Sequence, residues 1–296
     1  MWPKVPDQHK PGKPLIPWGL GVTYVLFSIV YLFSIYFLSK VYSLGIDVAT
    51  NGPSAALTLA ICVLFGGFMG MLDDWIDLKW RYKAFMPLIT ALPLMYYAIA
   101  NSEIVRTSIS LPFIGMIEFG NFYYFIIIPL LVMIVTNAIN MLGGLNGLET
   151  VCPAIAILGL IIVSPQPAQI LMAGPLIFWL ILAYFNVRGK LFVGNTGSFA
   201  VGLTVASFAV ITDLKSSLLI SIIPYIFNSA FILLSVLFIR KKANVIFDGK
   251  RLVSEHKRSL VTLITYRRPL TEWQVVLIIS LIVSFFTAIG ILYHIV

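Results

Sequence analysis

Charge is what this sequence has least of. Lys, Arg, Asp and Glu make up 11% of the 296 residues, against 59% hydrophobic side chains and a mean hydropathy of +0.97. A chain so poor in charge cannot cover a soluble globule, and that class is excluded. Cysteine is scarcer still. Cys62 and Cys152 both lie inside apolar runs, which excludes a disulfide framework and a cysteine-based metal knuckle. Twenty Lys and Arg against twelve Asp and Glu give a net charge of +8, yet no nucleic-acid partner is implied, because the bases collect in a few loops between apolar runs. The first eighteen residues also lack the apolar region of a cleavable signal.

What is there in abundance is apolar sequence in lengths that cross a bilayer. About nine runs stand out, roughly 19–42, 54–72, 84–100, 122–142, 150–164, 168–187, 197–212, 216–239 and 273–295. They predict an all-α, polytopic integral membrane bundle forming one domain over residues 1–296. The loops between them fall into two alternating sets, and 17 of the 20 Lys and Arg belong to one set. By the positive-inside rule that set, with the N-terminus, is cytoplasmic. The opposite loops are short and show no cluster of chemistry.

Three cytoplasmic stretches carry polar residues in a pattern. The first is Thr136-Asn-Ala-Ile-Asn-Met-Leu-Gly-Gly-Leu-Asn-Gly-Leu-Glu149, at the mouth of the fourth run. Asn137 and Asn140 share a helix face and line a polar cavity, while Gly143, Gly144 and Gly147 allow a close backbone turn. An ordinary helix exit with asparagines bridging helices is the simpler account. The second is Leu72-Asp73-Asp74-Trp75-Ile76-Asp77-Leu78-Lys79-Trp80-Arg81-Tyr82-Lys83. Continued as a helix, it stacks Asp73 over Asp77 with Asp74 beside them, and Arg81 and Lys83 follow within reach. Carboxylates followed by bases suit Mg²⁺ and a pyrophosphate together, although a solvated interfacial loop also fits. The third is the turn at 184–198, where Gly194, Gly197 and small hydroxyl residues offer a phosphate seat at a helix N-terminus and Phe192 a face for stacking on a base.

Two basic segments remain. Residues 7–19 are too rich in proline for a helix and read either as a disordered leader or as a flap over an anionic headgroup. The loop 240–272 holds nine Lys and Arg, including Arg240, Lys241 and Lys242, and its Asp248-Gly249 pair marks a hairpin turn. It reads as a lid over the site for a phosphorylated substrate, or as a polybasic tether to anionic membrane lipid.

Together the motifs resemble those of the polyprenyl-phosphate N-acetylhexosamine-1-phosphate transferases, most closely the eukaryotic and archaeal dolichyl-phosphate branch. The matching segments are Leu72-Asp73-Asp74 with Leu78-Lys79-Trp80-Arg81 and Lys83; Asn137-Ala-Ile-Asn140 with Gly144-Leu-Asn146-Gly147-Leu-Glu149; Phe192-Val-Gly194; and Pro224 with Phe227-Asn228. They follow the family order over almost the whole chain. The resemblance implies transfer of N-acetylglucosamine 1-phosphate from a UDP-sugar to a polyprenyl or dolichyl phosphate, releasing UMP, at the cytoplasmic face of an archaeal cell membrane or the endoplasmic reticulum. It implies Mg²⁺ as cofactor, with Mn²⁺ as a substitute. It also implies Asp73 and Asp74 as the catalytic acids, Lys83 on the pyrophosphate, Asn140 as a metal ligand, Asn146 reading uracil and Phe192 stacking on it. Asn137 counts with the substrate-binding residues. Arg240, Lys241 and Lys242 stand at the family's Arg-His-Arg run, and Asp7 and Lys10 at its Asp-x-x-Lys. Homodimer formation is left open.

Three departures stand against the family pattern. The usual ten spans include one ahead of Asp7 that is missing here, Trp18 replaces a common Glu, and Asn195 stands at a metal-binding Asp. An amide oxygen ligates Mg²⁺ without charge, so a catalytically impaired relative that binds nucleotide sugar or lipid carrier is the rival expectation.

Overall fold

The computed structural model describes residues 2–43, 45, 52–241 and 243–295. All nine apolar runs fold as helix. The first two are α1 (Gly21–Tyr42) and α2 (Ala55–Ile76), the latter capped by Ser54, whose hydroxyl accepts from Leu57 N at 3.2 Å. The third is divided into α3 (Trp80–Thr90) and α4 (Leu92–Ala100), with Pro87 in the last turn of α3 and a proline in the first turn of α4, where a missing N–H costs little. A π-helical turn, Tyr123–Ile127, leads into α5 (Ile128–Met141). Then come α6 (Leu148–Val163), α7 (Gln166–Val187), α8 (Gly194–Ile211), α9 (Lys215–Ser221) and α10 (Ile223–Leu234). A second π turn, Ser235–Ile239, extends α10; a short α11 (Leu260–Ile264) and the final α12 (Glu272–Ile295) complete the set.

Among the described residues, seven of these helical segments are long and apolar enough to cross a membrane unaided. The other two runs differ in kind. α9 and the helix from Ile223 to Ile239 meet at a 56° bend, and α6 is 16 residues long, short of the roughly 20 that a bilayer core asks of an upright helix.

The bundle is not all helix. Three antiparallel hairpins decorate it: β1 (Lys4–Pro6) with β2 (Leu15–Pro17), β3 (Ser108–Leu111) with β4 (Gly115–Glu118), and β5 (Ile246–Phe247) with β6 (Leu252–Val253). The proline-rich first segment is therefore folded. At the expected turn, Asp248 Oδ1 accepts from Lys250 N and Arg251 N, and Gly249 takes φ +100°.

α8 is the axis of the bundle, buried along almost its whole length. α2 lies against it so closely that a Cβ on Gly66 would stand 2.8 Å from Phe199 O, and one on Gly70 2.2 Å from Asn195 O. This four-residue spacing of small residues lets the two backbones meet. It also sets the register that brings the last turn of α2 against the first turn of α8.

At the far end of the bundle the loops are less plain than the sequence indicated. Arg106 Nε meets Asp213 Oδ2 at 2.6 Å, Lys215 pairs with the same carboxylate, and the Lys215 ammonium sits 4.6 Å from the Tyr123 ring centroid. These residues are scattered over more than a hundred positions, which hid the cluster.

Candidate active site

Asp73 and Asp74 sit in the last turn of α2, the negative end of its dipole, where carboxylates need compensation. Each finds a different kind. Asp73, its side chain 2% exposed, pairs through Oδ1 with Lys83 Nζ at 2.7 Å and accepts from Leu78 N at 3.1 Å. Its Oδ2 is buried and has no hydrogen-bond partner. Asp74 caps α8: Oδ1 accepts from Asn195 N at 2.9 Å, and Oδ2 from Thr196 N at 3.0 Å and Thr196 Oγ1 at 2.7 Å. The N-terminus expected to seat a phosphate is thus engaged by a carboxylate of the chain itself. Gly194 makes this approach possible, with φ +71° and a would-be Cβ only 2.9 Å from Asp74 Oδ2.

The side chain of the third acid meets them only through Lys83. α2 stops at Ile76, and Asp77 closes it in the left-handed conformation with a fully exposed side chain, 3.5 Å from Lys83 Nζ. Arg81 also turns aside, its guanidinium 5.6 Å from the Trp80 ring centroid.

The asparagines complete this first cluster. Asn140 Nδ2 donates to Asn195 Oδ1 at 3.0 Å and to Ser198 Oγ at 2.7 Å, so the two expected metal ligands touch each other. Asn137 Nδ2 donates to Met133 O and Ala84 O, tying α5 to α3. Lys83, Asn137 and Asn140 line one part of a groove of about 420 Å³ between α3, α5 and α10, whose remaining walls include Met133, Ile134 and Leu233.

Among the described residues no three carboxylates, histidines or cysteines form a metal cage. Mg²⁺ does not require one, since it is commonly held by one or two carboxylates, waters and substrate phosphates. Asp73 Oδ2 meets that demand: it is anionic, buried and unpartnered. The Asn195 oxygen accepts one bond from Asn140 and the Asp74 carboxylate accepts three, so each keeps acceptor capacity, but neither has an oxygen as free of partners as Asp73 Oδ2. The residues present therefore fit a cation that leans on Asp73 more than on the asparagine pair.

A second cluster forms around Asn146. Its Nδ2 donates to Asp7 Oδ2 at 2.7 Å and to Glu272 Oε1 at 3.0 Å, its backbone N donates to Glu272 Oε1 at 2.8 Å, and Lys10 Nζ pairs with Glu272 Oε2 at 2.9 Å. Asn146, Lys10 and Glu272 border a cavity of about 320 Å³ with Phe247, Lys250 and Trp273. Behind it Asn186 accepts from Gly147 N and Thr150 Oγ1 and donates to Glu149 Oε1 and Leu191 O, which shapes the turn after α5. Phe192 is half-buried on the turn that joins the two clusters, its backbone N donating to Pro17 O and its O accepting from Leu20 N.

Arg240 and Lys241 are exposed beyond the second π turn, and neither makes an ion pair among the described residues; Lys242 lies outside those residues. Sequence reading passed over Glu272 and Asn186, and the pairing of Asp7 with Asn146 and of Glu149 with Asn186. Glu149 and Glu272 had one available signal: each is an ionisable residue in the first turn of an apolar helix.

An acid–base pair and a row of carboxamides, held at the ends of helices apolar enough to cross a membrane, stand beside an apolar groove, as in a polytopic membrane protein with a polar site at one end. The sequence profile of glycosyl transferase family 4 matches residues 56–213, from the start of α2 past the end of α8. The chain belongs to that family. A relative from Saccharolobus solfataricus, 30% identical over 97% of this chain and 86% of its own length, is provisionally named a UDP-N-acetylglucosamine–dolichyl-phosphate N-acetylglucosaminephosphotransferase. A Dictyostelium discoideum protein of the same name, without the proviso, is 27% identical over 75% of this chain and 62% of its own length. A phospho-N-acetylmuramoyl-pentapeptide-transferase of Clostridium perfringens is 30% identical over 83% of this chain and 75% of its own.

Proposed function

We propose that this chain is an integral membrane enzyme that moves N-acetylglucosamine 1-phosphate from UDP-N-acetylglucosamine to dolichyl or another polyprenyl phosphate, the opening step of a lipid-linked oligosaccharide. The observation that carries this is the Asp73–Lys83 pair and the Asn140 carboxamide gathered where the apolar groove begins. Such a groove takes an isoprenoid chain along its walls and leaves the phosphate beside Lys83. The names of the relatives support the same substrates.

In the reaction an oxygen of the lipid phosphate attacks the sugar-bearing phosphorus of the UDP-sugar. The bond from that phosphorus to the bridging oxygen breaks, and UMP leaves with the oxygen. Lys83 balances charge on the pyrophosphate, and Asp73 or Asp74 takes the lipid phosphate's proton if it is present. Mg²⁺, or Mn²⁺ in its place, would be held by Asp73 with Asn140 and Asn195 alongside and would supply neutralisation of the pyrophosphate. The rest is positioning and electrostatics. Asn146 reads uracil, Phe192 stacks on it, and Asn137, Lys10 and the exposed Arg240, Lys241 and Lys242 contribute to substrate binding, with 240–272 folded over the site as a lid.

The site faces the cytoplasm, with nine crossings and a cytoplasmic N-terminus. Support comes from the contacts among the basic segments: Asp74 accepts from Asn195 N and Thr196 N, Gly189 stands beside Lys10, Lys10 reaches Glu272, and Lys250 borders the cavity with Lys10. All four basic loops therefore meet at one end, as the positive-inside rule asks of a cytoplasmic face.

Asp73→Asn tests the assignment. Transfer should fall by a factor of about a hundred or more, as expected when a group acting on the reacting phosphate is removed. Detectable folded protein must persist, and transfer at the unaltered rate by that folded variant would refute the role.

A further inference from the structure

Asn146 is held in a way that limits what it can recognise. A carboxamide normally offers two donors and one acceptor. Here the nitrogen is consumed on both sides by carboxylates, Asp7 Oδ2 at 2.7 Å and Glu272 Oε1 at 3.0 Å. Carboxylates accept only, so the amide cannot rotate by 180° without setting its oxygen against two anions. Asn146 is 5% exposed, and its Oδ1 is the one polar atom of the side chain left buried without a partner. Such an atom is costly unless a ligand satisfies it.

The cavity of about 320 Å³ that Asn146 borders lies beside it. Gly189 stands over this oxygen at φ +64°, and a Cβ there would lie 3.7 Å from Asn146 Oδ1 and 3.3 Å from Lys10 Cε. Lys10, paired with Glu272 at 2.9 Å, keeps the second carboxylate in place.

We infer that Asp7 and Glu272 are positioning residues for base specificity: they fix the Asn146 carboxamide with its oxygen as the only available group, so the ligand must present an N–H to it. This rests on the reading of Asn146 as the residue that meets the nucleobase. Uracil carries a hydrogen on N3 and satisfies the oxygen, whereas cytosine carries a lone pair on N3 and opposes it. Rejection of cytidine nucleotides then follows from two side chains that need not touch the base.

The test is calorimetry on the full-length protein in detergent with Mg²⁺, titrating UDP, CDP and N3-methyl-UDP. In the unaltered protein UDP should bind about tenfold or more tighter than either of the others, the scale of exchanging a hydrogen bond for an unsatisfied or opposed acceptor. Asp7→Ala frees one N–H of the carboxamide and should bring the UDP-to-CDP ratio toward unity. Asp7→Asn, which keeps an acceptor there, should retain the preference. An Asp7→Ala protein that still melts cooperatively and keeps the full ratio overturns the inference while the uridine reading stands. N3-methyl-UDP binding as well as UDP to the unaltered protein overturns it however the variants fold. Absence of any UDP binding to the unaltered protein instead defeats the uridine reading itself.

Discussion

Asp74 and Asp73 are neighbours in sequence with opposite situations in space. Asp74 accepts three hydrogen bonds from the first turn of α8, and an asparagine there would retain one acceptor oxygen and set an amide N–H₂ against the remaining donors. Asp74→Asn is expected to cost about 1–2 kcal/mol as a lost charged helix cap. A thermal unfolding midpoint unchanged from the unaltered protein would contradict that role. Asp73 has the unpartnered oxygen, so its loss should appear in turnover. Asn195 is the third residue of interest. Its amide oxygen accepts from Asn140, and an aspartate in its place would keep that bond and add a charge at the positive end of α8. Asn195→Asp should raise turnover and lower the Mg²⁺ concentration needed, read from a Mg²⁺ titration of the rate; no change in either would place the cation elsewhere.

At the scale of elements, the segment around His256 responds to pH. Burial, aided by the positive charge of Arg258, pushes its imidazole below the ordinary histidine value of 6.5. The neutral ring also accepts from Asn244 N through Nε2, at 3.3 Å, which the protonated ring cannot do. A depressed folded value means that this stabilisation is present above the unfolded value and is lost as pH falls through the folded one. Hydrogen exchange at residues 244–256 should therefore accelerate as pH drops below about 6.5, after correction for intrinsic rates. Protection that stays flat from pH 7.5 to 5 would remove His256 from this role. Helix positions were legible from the sequence because apolar length alone decides them. Where the helices break was less so: Pro224, in the first turn of α10, marks the break after α9, but the 56° of the bend is not written in it. The Asp248-Gly249 turn was legible because its chemistry is local, whereas Asp74 on α8 joins residues 121 apart.

For the whole molecule, one end collects nearly all the polar chemistry. The acid–base pair, the linked asparagines and the Asn146 cluster draw on both hairpins of that end and on α2, α3, α5, α8 and α12. The motif residues, Asp7 among them, were readable one by one, but Glu272 and the pairing of both carboxylates with Asn146 were not, because a contact across 139 or 126 residues leaves no mark in spacing. The central claim is transfer of a sugar phosphate to a lipid, and its direct measure is incubation of the purified protein with labelled UDP-N-acetylglucosamine and dolichyl phosphate, with Mg²⁺ and with a chelator. The account predicts UMP and lipid-soluble N-acetylglucosamine phosphate in equal amounts, dependent on the lipid phosphate and lost with the chelator. UDP-N-acetylglucosamine bound and recovered intact, with no UMP formed at any Mg²⁺ or Mn²⁺ concentration, would contradict it.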